Sequence, residues 1–105
     1  TYVVKGKKVS VILDTLPCKA AYELAKDADL LVCEAVYGNK HISKAEENMH
    51  MTSEQAANLA AQANAKKLVL THFSQRYKTA DELLDEATRI FPNTLASYDF
   101  MKIKI

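Results

Sequence analysis

The chain carries a small set of residues able to do metal-assisted or acid–base chemistry. Asp14, Glu34 and His72 each follow an apolar run: VSVIL before Asp14-Thr15, LLVC before Glu34, and LVLT before His72. His50 stands just ahead of Met51-Thr52-Ser53-Glu54-Gln55, which opens like a capped helix. Two carboxylates and two imidazoles are the side chains that bind a hydrolytic metal ion and move a proton. Each also has a plainer reading. Asp14 could assist a helix cap. Glu34 could be a partly buried acid paired with a lysine. His50 could be a solvent-exposed loop histidine. His72 could hydrogen-bond backbone groups in the core. His41 lies in a charged loop and is assigned no role.

Position decides what these residues can do together. TYVV and VSVIL flank the Gly-containing KGKK and predict a hairpin. A helix is expected next, to about Lys26, capped by Thr15 with Pro17 in its first turn and Ala20, Ala21, Leu24 and Ala25 on one face. Leu30 to Cys33 reads as a strand ending at Glu34, and Ser43 to Asn48 as a short helical turn. Thr52 and Gln55 form a capping box for an Ala-rich helix to about Asn64. Lys66 to Thr71 is the next strand. Thr79-Ala80-Asp81-Glu82 repeats the capping pattern ahead of a stripe of Leu83, Leu84, Ala87, Ile90 and Phe91 that Pro92 ends. Leu95 to Ile105 completes the pattern as a last strand.

Strands alternating with helices imply an α/β fold: a mainly parallel sheet with helices on one face. Ligands of such sheets sit beyond the carboxyl ends of the strands. Asp14, Glu34 and His72 would meet at that edge, and an ordinary crossover would bring His50 to it.

The chain has 105 residues, enough for one small domain with a modest core. It is 49% hydrophobic with net charge +1, so no global field draws it to nucleic acid or membrane. An RNA partner would have to be met by local groups. No apolar run approaches the roughly 18 residues of a membrane span, and no signal peptide is visible. Cys18 and Cys33 lack zinc-type spacing and read as small buried thiols of an intracellular protein.

Taken in order, Asp14-Thr15, Glu34-Ala35, His50-Met51-Thr52 and Thr71-His72-Phe73-Ser74 with Arg76-Tyr77 resemble the C-terminal half of the ribonuclease Z family. These are tRNA 3′-processing endonucleases of the metallo-β-lactamase superfamily. Asp14 and His72 alone would indicate only the superfamily; Glu34 together with His50 points to the ribonuclease Z branch. The resemblance implies a single unit over 1–105, the C-terminal half of an αβ/βα sandwich whose N-terminal half is absent. It implies a site between the halves that holds two zinc ions in the complete enzyme. Asp14 would bridge both metals and His72 would ligate one. His50 would give a proton to the leaving oxygen, with Glu34 turning it and holding it protonated against the opposing helix N-terminus. Arg76 would hold RNA phosphate, or else stabilise its own loop. The expected partners are precursor tRNA, the missing N-terminal half and a second copy in a homodimer; the expected location is cytoplasmic.

Leu13, Cys33 and Met49 stand where the family often has Gly, His and Gly, and all three flank the functional positions. The His-x-His-x-Asp-His motif of the superfamily is missing from the chain. The isolated chain is therefore expected to be inactive, to bind zinc weakly and to expose an apolar half-interface. Two other readings remain open. One is a different phosphodiesterase or arylsulfatase-like hydrolase of the same superfamily. The other is a receiver-like regulatory domain with Asp14 as phosphate acceptor, disfavoured by Lys5, Lys7 and Lys8 where a receiver needs acidic groups.

Overall fold

A computed structural model describes residues 2–4, 7–13, 17–38, 42–47, 50–71 and 81–97. The elements run β1 (Tyr2–Val4), β2 (Lys7–Ile12), α1 (Lys19–Ala25), β3 (Leu30–Glu34), α2 (Ile42–Glu47), α3 (Ser53–Gln62), β4 (Leu68–Thr71), α4 (Asp81–Thr88) and β5 (Thr94–Ala96). The sheet order is β1-β2-β3-β4-β5. The first pair is the antiparallel hairpin, with Val3 opposite Lys8, and the remaining three pairs are parallel. Consecutive parallel neighbours need a crossover each, and α1, α3 and α4 occupy the three crossovers.

The two faces of the sheet carry different loads. Ile12, Leu31, Cys33, Leu68 and Leu70 join a core cluster with Ala21 and Ala25 of α1, Ala56, Ala57, Leu59 and Ala60 of α3, and Ala87 of α4. Val9, Leu30 and Val69 form a second cluster on the opposite face, with half-buried Val32 against it. This two-residue alternation follows from the pleat. Burying each of Leu31, Leu68, Leu70 and Leu83 contributes about 1.5–3 kcal/mol. On the helical side the contacts are largely alanine to strand, and side chains that small let α3 lie close to β3 and β4.

Local rules fix the helix ends. Thr52 Oγ1 accepts from Gln55 N while Gln55 Oε1 accepts from Thr52 N, so the predicted capping box of α3 is present. Such a cap is worth about 1 kcal/mol. The start of α1 differs from expectation. Cys18 is the N-cap, with extended backbone angles and no side-chain cap bond, and Pro17 precedes it. An N-cap stands at the rim of its helix, so Cys18 is exposed, contrary to its reading as a buried thiol; Cys33, in the central strand, is buried. Leu24 and Ala20 are exposed as well, because α1 faces the core through Ala21 and Ala25, one turn apart, with half-buried Tyr22 packed beside them. The buried hydroxyl of Ser10 on β2 satisfies the Leu24 carbonyl near the end of α1.

Asp27 and Asn64 take positive φ, 57° and 59°, just beyond α1 and α3. Both residue types tolerate the left-handed region, so neither stop needs glycine. The α4 stripe is shorter than predicted. Leu83 and Ala87 are buried in the helix, while Ile90 and Phe91 pack on the core from the turn after it. The last strand is described only from Thr94 to Ala96. Thr15, Thr79 and the predicted continuation of that strand to Ile105 lie outside the described residues.

Asp29 ties the amino edge of the sheet together. Its carboxylate accepts the Lys8 backbone N–H at 2.8 Å and meets the Lys66 ammonium at 3.0 Å. The Lys8 N–H first, and then Lys66, hold its pKa below the ordinary 3.8. A depressed carboxylate stabilises the fold in full above the unfolded value and loses that contribution as pH falls through the folded one. The urea midpoint of an Asp29→Asn variant should therefore change less than the parent's between about pH 5 and about pH 3. Equal acid sensitivity in the two proteins would assign the acid loss to other groups.

Candidate functional site

The carboxyl edge of the sheet is set by strand register. Ile12, the last residue of β2, pairs with Cys33, and Thr71, the last residue of β4, pairs with Glu34. The strand ends that lead to Asp14 and His72 thus flank Glu34. Asp14, His72 and Arg76 themselves lie outside the described residues. Glu34 and His50 lie within them, and they meet.

Glu34 is fully buried, deeper than its plainer reading had it. Its Oε2 lies 2.8 Å from His50 Nδ1 and accepts the Met51 backbone N–H at 2.9 Å. A carboxylate can only accept, so Nδ1 carries a hydrogen and the tautomer is set by this bond. Nε2 is then the ring nitrogen not engaged by Glu34. The imidazole remains 23% exposed beside a carboxylate with no exposure at all. A buried acceptor fixes this part-open imidazole in place, so it is not a freely rotating surface histidine, and a ring held this way is able to carry a proton.

The segment that presents His50 is anchored along its length. His50 N donates to Ala45 O of α2, Val36 N to Met51 O, and Ser53 N to Tyr37 O. Tyr37 and Thr52 also form an isolated parallel bridge. Met51, Thr52 and Ser53 are fully buried. The ring's place is thus dictated by the 34–37 strip of backbone and by the start of α3. Apart from Thr52, whose capping box is legible, these supporting residues carry no sequence signal, since each acts through a backbone atom or a contact across many positions.

Cys33 sits one residue before Glu34 but points to the helical core, as alternation requires. Its Sγ lies 3.6 Å from Met51 Sδ. Burial, with the neighbouring Glu34 charge adding to it, pushes the thiol up to about 12. Cys33 is therefore a neutral packing group, and its presence before the glutamate leaves the dyad undisturbed. Among the described residues no three His, Cys, Asp or Glu side chains converge to hold a metal ion.

No family model matches the chain. Ribonuclease Z of Chlamydia muridarum is 45% identical to it over 100 residues, which is 95% of this chain and 33% of that protein. Human tRNase Z, short form, superposes with a TM-score of 0.74 at 34% identity, over 95% of this chain and 34% of that one. A metallo-β-lactamase fold protein from Bacillus subtilis superposes with a TM-score of 0.77 at 26% identity, over 89% of this chain and 38% of that one. The chain spans about one third of the length of the curated relatives it matches. The resemblance read from the sequence holds: the chain is ribonuclease Z-like across nearly its whole length, and its sheet and helices have the α/β architecture of metallo-β-lactamase fold proteins.

Removing the Glu34 carboxylate would strand a buried backbone N–H and unseat the imidazole. Glu34→Leu should destabilise the protein by about 3 kcal/mol in urea unfolding. It should also broaden or shift the His50 ring signals in NMR. A stable variant with unchanged His50 resonances would show that the carboxylate neither supports the fold nor orients the ring.

Proposed function

We propose that the chain contributes half of the active site of a zinc-dependent endoribonuclease that removes the 3′ trailer from precursor tRNA. The observation that carries this reading is the grip of buried Glu34 on His50 and the Met51 N–H. A metal site alone would fit many hydrolases. A buried glutamate fixing a part-exposed histidine at the carboxyl edge is what a leaving-group acid requires, and similarity to ribonuclease Z supplies the substrate class.

In this reading Asp14 and His72 are ligands of a zinc pair. Their donor types suit it: two carboxylate oxygens can face two cations, and a neutral imidazole nitrogen suits a borderline-soft ion. When bound, the metals supply Lewis acidity toward the phosphodiester and make water acidic enough to attack at neutral pH. The chain's own residues act on the other side of the phosphorus. As the P–O3′ bond breaks, its electron pair moves to the 3′ oxygen of the tRNA, His50 Nε2 delivers a proton there, and the phosphate stays on the 5′ end of the trailer. Glu34 keeps Nδ1–H engaged throughout, so the ring neither rotates nor presents the wrong nitrogen. The tRNA is left with a 3′-hydroxyl. Arg76 holds an RNA phosphate.

Two ligands fall short of the three that a catalytic zinc site usually takes from protein. The remaining donors are assigned to an N-terminal half of the same protein, packed on the sheet face away from α1, α3 and α4, with this chain as the C-terminal half-domain. That face exposes Val11 (44%) and Leu95 (39%), apolar groups that a second half would cover. A homodimer and a cytoplasmic location complete the reading. No helix among the described residues is long and apolar enough to cross a membrane.

The test uses the full-length enzyme. His50→Ala should lower turnover of precursor tRNA by roughly 10²–10⁴-fold with zinc content near normal. Asp14→Ala and His72→Ala should lower both turnover and zinc. Equal zinc loss in all three variants would sink this division of labour. Cleavage of small phosphodiesters with no binding or cleavage of precursor tRNA would replace the ribonuclease with another hydrolase of the same superfamily.

A further inference from the structure

The start of α3 is held from two sides, and only one belongs to the dyad's own strand. Each N–H of the helix start has a partner. Thr52 N donates to Gln55 Oε1 and Gln55 N to Thr52 Oγ1, closing the capping box. Ser53 N donates to Tyr37 O. Glu54 N donates to Glu86 Oε1 at 3.2 Å, and the same oxygen accepts the Ser53 hydroxyl at 2.7 Å. Glu86 belongs to α4, which follows the stretch containing His72 and Arg76. The remaining N–H groups of the helix start are met by α3's own cap or by residue 37 beyond β3; Glu86 reaches in from α4, a separate element. With its four N–H groups taken, this helix end offers no cradle to an incoming phosphate, so its design serves geometry rather than anion binding.

We propose that Glu86 is a positioning residue for His50, acting through the first turn of α3. This inference rests on the proton-donor role proposed for His50. Ser53 follows His50 by three residues, and the intervening Met51 and Thr52 are fully buried, so little slack separates the helix start from the imidazole. The Glu86 oxygen fixes where Ser53 and Glu54 sit relative to α4. Tyr37 and Glu34 fix the same segment relative to β3. Together they form a two-sided clamp on the backbone that carries the ring. Loss of the α4 side lets the first turn drift, and a drift of a fraction of an ångström misaims Nε2 while substrate contacts elsewhere persist. A chemical step is sensitive to such displacement, and a 1 Å error can cost about 10²-fold.

The test compares Glu86→Ala and Glu86→Gln in the full-length enzyme acting on precursor tRNA, with His50→Ala as reference. In Glu86→Ala, kcat should fall by roughly 10- to 100-fold while KM stays within about twofold and zinc content holds. Glu86→Gln keeps an amide oxygen for both donors and should recover kcat to within about threefold of the parent. Adding Glu86→Ala to His50→Ala should lower kcat little further, because the two act along one line. Should Glu86→Ala fold poorly, Ser53→Ala removes one of the two bonds and should show a smaller fall in kcat with KM unchanged. A parental kcat in Glu86→Ala despite a lower Tm would reduce Glu86 to an interhelical strut and overturn the proposal. So would a Gln variant as impaired as Ala, loss of zinc, or a full further loss in the double variant. A His50→Ala enzyme with parental turnover would instead overturn the proton-donor reading, and this inference with it.

Discussion

Everything at the carboxyl edge depends on burying one carboxylate. Glu34 ends the central run of β3 with no exposure, in a setting where an unmatched charge would cost several kcal/mol. Its surroundings meet that demand with a backbone N–H and an imidazole on one oxygen, 2.9 and 2.8 Å away. Both partners come from the same dipeptide, His50-Met51. The electrostatic need of the strand end and the placement of the histidine are thus one problem with one solution. The segment 50–53 must be rigid for the carboxylate to be tolerated, and rigidity is also what a proton carrier needs.

The architecture was legible in the residues wherever a local rule decided it. Short apolar runs marked β2, β3 and β4, and Thr52 with Gln55 marked the start of α3 within one residue. The crossover logic places Glu34 and His50 at the same sheet edge, where they meet. The failures were local as well. Cys18 looked buried because an apolar strand and an alanine helix flank it, yet an N-cap is set by where the helix turns rather than by its neighbours' hydropathy. The α4 stripe was drawn too long because Ile90 and Phe91 keep the helical spacing while packing from a turn. Glu86 escaped notice entirely. It meets α3 across 32 positions of sequence, and a lone glutamate on an amphipathic helix resembles any solvated one.

The comparisons set the scale of the unit. A chain that spans about a third of its ribonuclease Z relatives still contains a complete sheet-and-helix layer with its own core. Its helical face is closed by α1, α3 and α4, and its other face keeps large apolar groups in the open. The contact between Glu34 and His50 is made within this layer. A metal centre of the kind proposed draws donors from more than one region of a longer protein. On the proposed reading, proton handling would be built by local backbone and metal binding by association, at different levels of the structure.

The alanines of α3 acquire a further meaning from this. Ala56, Ala57 and Ala60 have no exposure, and they hold the helix tight against the strands whose ends bear the dyad. A larger side chain there would lift the helix, and the turn that begins it, away from Glu34. In a survey of natural or laboratory variants, these positions would behave as activity determinants although none of them lies at the chemistry. Core volume in this layer is a tolerance on the position of a ring nitrogen. The freedom to vary these interior residues is then limited by where that ring must sit as well as by packing.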